Sequence, residues 1–479
     1  MDSELTSDDE ASPLLPKARK PTPLPTAQLA ALCVCRLMDP IAMTQIFPYI
    51  LEWLTVLKVS EPSKIGIYSG LVVVSVFLEE STFAITQTLT SYHWAKLSDV
   101  VGRRPIILVC TGGLAIVTLL LGLCTSFSQI MLARACGGFL AGNIAVYLAV
   151  LAEITDATNL ASVYPIYSFT WPFGGTIGPL IGGSLADLGT KYPEYFGNNF
   201  LLAYPYFMPN FVCALLAFVG FLLTFFFLEE TLPSKRRGQS ISTAVQVPSP
   251  SMSAWDILSI PMIRAVTFSA FVLSFLGGAF DVVFVLYAYT SIENGGLSFS
   301  VNQIGYALSL SGAILALFQL FFMPHLLRRY NPTKMYNAAM RFWPLTFILI
   351  PFLNVVARTG VEHNMDKVNA NIILWLCLAL VLICSRIASL AYATNLIIIR
   401  NHAPNPSSLG AANGVIQFAM CISRCFSPAL VSTIFALSQG NNLLGGYPIW
   451  VVMMLLVCLV GCYFSQEMVR IEEASRVVQ

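Results

Sequence analysis

The residues in this chain that are able to do chemistry are charged groups set where charge is costly. Arg36 and Asp39 stand in RLMDPIAMTQ, Arg134 in LARACGGFLAGN, Asp281 in GGAFDVVFVLYAY, Arg386 in CSRIASLAYATN, and Arg424 lies in a further apolar run. A charge near mid-bilayer costs at least about 2.5–3.5 kcal/mol on an insertion scale, so each one needs a partner or a watery chamber. An acid facing such a chamber can bind and release a proton as its exposure changes. Asp39 is the first candidate for that role, with Arg36 or Arg134 as its modulator; Asp281 is the second. The rival reading for Asp39 is a static salt bridge with Arg36, three residues away on one helix face. For Asp281 it is an ion pair that only packs helices. Glu79 and Glu80 are further acids in a run of uncertain register, and Arg341 reads as an interface anchor.

Twelve apolar runs must position these groups. They span roughly Gln28 to Leu57, Ile65 to Trp94, Pro105 to Thr125, Gln129 to Ile154, Val163 to Leu188, Leu201 to Leu228, Met262 to Thr290, Gln303 to Leu327, Met335 to Val356, Asn371 to Ile399, Leu409 to Leu437 and Tyr447 to Phe464. Each is close to the length that crosses a bilayer as a helix. Lipid offers the backbone no hydrogen-bond partner, and the alternating pattern of a barrel strand is absent. The expected class is an all-α polytopic membrane protein. A polar, Ser/Pro/Lys/Arg-rich stretch over 230–258 divides six spans from six, giving bundles over 27–229 and 259–466 between tails of 1–26 and 467–479. On that division Asp39 and Asp281 fall on equivalent helices, and so do Arg134 and Arg386. Two pseudo-symmetric halves facing one cavity follow as the expectation. The aromatics Phe169, Trp171, Phe173, Tyr287, Tyr289, Phe318 and Trp343 are candidate walls for it. The second run is long for one crossing, and Val72 to Leu78 looks like a surplus segment.

Composition limits the alternatives. The chain has 479 residues, 56% of them hydrophobic and 11% charged, with a net charge of +1. A soluble domain carries roughly a quarter charged residues, and a near-neutral chain has no global field to draw nucleic acid. The first 26 residues are polar, so no cleavable leader is expected and the first span directs insertion. Lys17, Arg103, Arg104, Lys235, Arg328, Arg400 and Arg470 lie on the side of the tails, where Lys and Arg predominate, which predicts both tails in the cytosol. The twelve cysteines fall inside the runs and read as packing residues; the four histidines are scattered. No metal-ligand set, nucleophile–base pair or phosphate loop is found, so neither enzyme activity nor a metal or other cofactor is expected.

One short link is densely charged: HWAKLSDVVGRRP, between the second and third runs. Its core of Asp99, Gly102, Arg103 and Arg104 resembles the loop signature of the major facilitator superfamily, with Ala95 in place of a Gly and Val100 in place of an Arg. Asp99 is suited to accept hydrogen bonds at a helix N-terminus, and SSLGAANG, from Ser407 to Gly414, is the expected partner. In the fifth run GGTIGPLIGG carries Gly174, Gly178, Pro179, Gly182 and Gly183. Small residues four apart let helix backbones approach closely, and a proline bends a helix. In the superfamily this pattern is associated with proton antiporters. AEITD, YPYFMPNF and GGLSFSVNQIGYALSLSGA further resemble fungal relatives of plant zinc-induced facilitators, within the drug:proton antiporter group, over residues 27 to 465.

The resemblance implies a secondary transporter of a drug, metabolite or metal chelate, exchanging protons for a small solute by alternating access as a monomer in the lipid bilayer. Proton-independent or symport-type transport is the nearest alternative, and a non-transporting receptor or scaffold the more distant one. In the tail, Glu10, Leu14 and Leu15 resemble an acidic dileucine sorting signal. That implies adaptor coat proteins as partners and a vacuolar membrane as destination, with the plasma membrane as the alternative.

Overall fold

Apolar sequence in a medium without hydrogen-bond partners leaves the backbone one economical solution, the helix, and the described apolar runs adopt it. The computed structural model describes residues 25–57, 65–155, 160–232, 254–362, 367–402, 406–440 and 448–478. These form helices, with no strand among the described residues. The N-terminal half holds α1 (Thr26–Thr44), α2 (Ile50–Val56), α3 (Ile65–Val101), α4 (Arg103–Leu121), α5 (Phe127–Ala141), α6 (Ile144–Ile154), α7 (Leu160–Leu185), the short α8 (Leu188–Lys191), α9 (Pro193–Phe196) and α10 (Asn199–Ala203), and α11 (Phe207–Phe227). The C-terminal half holds α12 (Ala254–Ser259), α13 (Pro261–Tyr289), α14 (Val301–Leu317), α15 (Met323–Arg329), α16 (Pro332–Met340), α17 (Phe342–Glu362), α18 (Lys367–Ser389), α19 (Ala391–His402), α20 (Pro406–Gly440) and α21 (Pro448–Val478). The expected link over 230–258 lies mostly outside the described residues.

Among the described residues, 10 helical segments are long and apolar enough to cross a membrane. Helices α3 and α7, whose side chains are described only in part, occupy the places of the expected second and fifth spans. The protein is a multi-pass integral membrane protein. Its outward faces carry Ile116, Leu132, Phe226, Leu376 and Leu459 to the lipid, all exposed.

Several expected spans are broken rather than continuous. The first divides into α1 and α2 around Pro48, whose missing N–H cannot continue the ladder. The fourth divides at Gly142 and Asn143. Before Pro324 the helix widens into a π-helical turn over Phe318–Phe322, the register that absorbs a missing hydrogen bond. The twelfth is longer than expected: α21 runs to Val478, through the segment predicted as a tail. Helix α3 has 37 residues, about 55 Å at 1.5 Å per residue, against a hydrocarbon core of about 30 Å. The side chains of Val72 to Leu78 lie outside the described residues.

The two halves pack by the same rule. Helix α1 lies against α7 and α11, and α13 against α20 and α21. Each first helix therefore rests on the fifth and sixth spans of its own half. Between the halves α7 packs on α14 and α3 on α20. This arrangement leaves a central space facing α1, α3, α7, α13, α18 and α20.

Candidate functional site

A cavity of about 370 Å³ lies between the halves, inside the 300–1,000 Å³ range of small-molecule pockets. The N-terminal half contributes Arg36 from α1, Phe83 and Gln87 from α3, and Tyr167 and Trp171 from α7. The C-terminal half contributes Asp281 from α13, Trp343 from α17, Arg386 and Ser389 from α18, Tyr392 from α19, and Gln417 and Arg424 from α20.

The charged candidates are organised as follows. Arg36 Nη1 donates to Asp39 Oδ2 at 2.6 Å, and the pair is buried, with side-chain exposures of 11% and 7%. Arg36 also lies 5.5 Å from the centre of the Trp171 ring and 6.0 Å from that of Tyr147, within cation–π range. Asp39 does not line the cavity: it sits behind Arg36. In the other half Arg386 Nη2 donates to Asp281 Oδ1 at 3.2 Å, and the guanidinium lies 5.5 Å from the centre of the Phe280 ring. Here the acid is the accessible member, with Asp281 41% exposed and Arg386 14%. Arg134 is buried on α5, its guanidinium 4.8 Å from the centre of the Phe83 ring, and it too stays out of the wall. The four residues thus occupy equivalent helices, but the pairing is not symmetric. Asp39 is held by an arginine on its own helix, Asp281 by one from the fourth span of its half.

The aromatics divide in the same way. Trp171 and Trp343 line the cavity. Phe169 and Phe173 stack on each other at 5.5 Å. Tyr287 is buried, its hydroxyl accepting from the Asn354 N–H at 3.0 Å.

The charged link is a built structure at one end of the N-terminal half. Gly102 has φ +115, a backbone favouring glycine, and a Cβ there would also strike the Glu230 carboxylate. Arg103 Nη1 donates to Asp99 Oδ1 and to Ser98 Oγ, each at 2.6 Å. Its Nε and Nη2 reach Glu153 Oε1 at 3.2 and 3.1 Å. The backbone N–H groups of Arg103 and Arg104 donate to Glu230 Oε1 and Oε2 at 2.9 and 3.2 Å, so Glu230 closes the N-terminus of α4. Arg104 Nη2 donates to the Phe225 carbonyl at 2.6 Å. Asp99 is therefore held by Arg103; the side chains over 407–411, part of its expected partner, lie outside the described residues. Glu153 and Glu230 were not singled out in the sequence. The available signal was their place, in AEITD and EETLP, at span ends on the face where the basic link needs acids.

The glycines of α7 make close contacts on two sides. A Cβ on Gly174 would meet Pro40, one on Gly178 would meet Thr44 Oγ1, and one on Gly182 would fall on the Gln45 carbonyl. Gly183 faces the other half: its Cβ would lie 2.9 Å from Gly305 Cα. Helix α7 runs unbroken through Pro179. Glu10, Leu14 and Leu15 lie outside the described residues.

Relatives share this organisation in sequence. The chain is 36% identical over 492 residues to the major facilitator-type transporter psiT2 of Psilocybe cyanescens, covering 94% of this chain and 92% of that one. It is 26% identical to the major facilitator superfamily multidrug transporter mfsB of Aspergillus fumigatus, over 91% of this chain and 82% of mfsB. It is also 26% identical to the Arabidopsis thaliana protein ZINC INDUCED FACILITATOR 1, over 87% and 85% of the two chains. The sequence profile of the Major Facilitator Superfamily matches residues 32–428, and with two helical halves around one shared cavity the chain belongs to that family of membrane transporters.

Proposed function

We propose that this transporter exports a small organic solute in exchange for protons, by alternating access of the central cavity. The observation that carries the reading is a cavity enclosed by both halves of one chain, with the Asp281–Arg386 pair in its wall. A carboxylate that is partly open to the cavity and bonded to a single guanidinium can trade that bond for a proton. Protonation then leaves Arg386 without its counter-ion, and the wall changes charge as the halves move. Asp39 is a poorer coupling group because Arg36 covers it. The geometry thus favours reversing the order expected from sequence and placing Asp281 first. One chain forms the whole cavity, which supports a monomer.

Direction is supported by the Gly174–Gly183 pattern, with its likeness to antiporters, and by the multidrug relative. With both tails in the cytosol, as the basic residues favour, export runs into a vacuole or out of the cell. The Glu10, Leu14 and Leu15 pattern favours delivery to the vacuole through adaptor coats.

The test uses purified protein in liposomes loaded with a pH-sensitive dye and challenged with a library of small organic solutes. At least one solute should drive proton movement, and Asp281→Asn should reduce that movement at least about tenfold, the loss of about 1.4 kcal/mol of coupling, while still binding the solute. Solute flux indifferent to the pH gradient would remove proton coupling and leave uncoupled transport. Binding without any flux would favour a receptor.

A further inference from the structure

We propose that the cavity selects organic anions, and that Arg424 on α20 receives the anionic end. The inference rests on the transporter reading for its role and on the wall's own charges for its chemistry. Among the described residues three arginines line the cavity, Arg36, Arg386 and Arg424, and one acid, Asp281, lines it with them. Arg36 is held by Asp39 and Arg386 by Asp281. Arg424 differs. Among the described residues it meets no carboxylate, and its Nη2 reaches the Cys421 Sγ at 3.6 Å, a weak acceptor. Taking Asp39 behind the wall into account, the described residues of the site still carry one positive charge in excess.

A guanidinium presents a planar fork that matches a carboxylate or a phosphate, and such bonds are stronger than neutral ones. In a low-dielectric cavity an unmatched charge is costly, so an arriving anion relieves that cost and an arriving cation adds to it. Gln417, about two turns before Arg424 on α20, also faces the cavity, and Tyr392 does so from α19. Phe83, Trp171 and Trp343 supply the apolar remainder. The wall therefore fits an amphipathic anion: a carboxylate or phosphate monoester on a compact aromatic or aliphatic body. The cavity's volume lies at the lower end of the range of small-molecule pockets, which favours a compact body.

The experiment measures equilibrium binding of four radiolabelled probes that share one ring system to the full-length protein in lipid nanodiscs. The probes are 2-naphthoate, 2-naphthyl phosphate, 2-naphthamide and 2-naphthylmethylamine. Either anion should bind at least about tenfold tighter than both the amide and the amine. Arg424→Gln should bring the four within about twofold of one another, and Arg424→Lys should restore most of the preference, since it returns the charge without the fork. An amide or amine that binds the unaltered protein as tightly as the anions overturns the proposal, whether or not the glutamine variant folds. So does a folded Arg424→Gln protein that keeps the anion preference. Lysophosphatidate in the same assay distinguishes sources: tighter binding than 2-naphthyl phosphate assigns the anion to a lipid headgroup and supports the subsite. Flux of the same probes into proteoliposomes separates this proposal from the one it rests on. Anion-selective binding without flux keeps the subsite and removes transport; flux without anion preference does the reverse.

Discussion

At the scale of the residue, the two acids in the membrane have been given different environments by their neighbours. Asp39 is bonded at 2.6 Å to Arg36 one turn away and shielded from the cavity, while Asp281 faces it. Breaking a buried pair leaves the other charge uncompensated, at a cost of about 3–5 kcal/mol, whereas replacing both partners with apolar groups of similar size is often neutral. Asp39→Asn should therefore lower the thermal unfolding midpoint in detergent, and the double variant Arg36→Met/Asp39→Leu should recover it. A double variant as unstable as the single one would mean that the pair does more than neutralise itself. All six charged groups, Arg36, Asp39, Arg134, Asp281, Arg386 and Arg424, were legible inside apolar runs, because hydropathy alone marks them. The sequence left the partner of Asp39 open between Arg36 and Arg134, since a one-turn spacing on one helix and a contact between two helices both satisfy the same charge. Arg424 stood out less in sequence than in space, for what sets it apart is the absence of a carboxylate among its described neighbours.

At the scale of the element, the halves use different chemistry for equivalent contacts. In the N-terminal half α7 approaches α1 through Gly174, Gly178 and Gly182, whose missing side chains make room for Pro40, Thr44 and Gln45. In the C-terminal half α20 meets α13 through serines: Ser423 Oγ donates to the Phe271 carbonyl at 2.7 Å, and Ser274 Oγ to the Met420 carbonyl at 2.9 Å. Glycines along α7 are therefore not equivalent, and the difference is measurable. A Cβ at Gly175 would meet nothing within 4 Å, whereas one at Gly182 would collide with the Gln45 carbonyl. Gly175→Ala should leave stability within about 0.5 kcal/mol, while Gly182→Ala should cost about 1–3 kcal/mol by overpacking; thermal unfolding of the two variants side by side checks the contrast. The spacing of the glycines was legible in sequence, but which of them touch α1 and which touch the other half was not. That depends on rotation about the helix axis, and α7 is apolar on every side. The break at Pro48 and the π-helical turn before Pro324 were equally invisible to a window that averages hydropathy, although each proline marks its place. The charged link was recognised by its spacing; its acids lie far off in sequence at Glu153 and Glu230 and only meet it through folding.

At the scale of the whole molecule, the halves meet along α7 and α14 and along α3 and α20, and the glycine seam of the first pair lies towards the end opposite the charged link. Helix α7 starts near the link's face and ends at the far one, and α14 begins at the far one. There Gly183 touches Gly305, and a Cβ on Gly312 would lie 2.8 Å from the Gly175 carbonyl carbon further along the same seam. Lys191 Nζ donates to Asn302 Oδ1 across the seam at 2.7 Å. The bonds described for Asp99, Arg103 and Arg104 all stay within the N-terminal half. The α7–α14 seam is thus closed in this structure, which fits one end state of the proposed rocking. If the halves alternate, a side chain too large for the glycine seam penalises this state and spares the one in which the seam is open. An overpacking cost of about 1–3 kcal/mol confined to one of two states shifts their ratio roughly 5- to 150-fold. Gly305→Val should therefore lengthen the distance between spin labels at Tyr195 and Glu293 on the far face. It should also shorten the distance between labels at Val100 and Tyr330 on the face of the link, on a background with accessible cysteines replaced by serine. Lys191→Ala should move both distances in the same directions by less, because it removes one bond and leaves the glycines in contact. A folded Gly305→Val protein in which neither distance moves would show that the seam is a fixed joint, and the two halves would then have to expose the cavity by bending within a bundle instead of rocking about it.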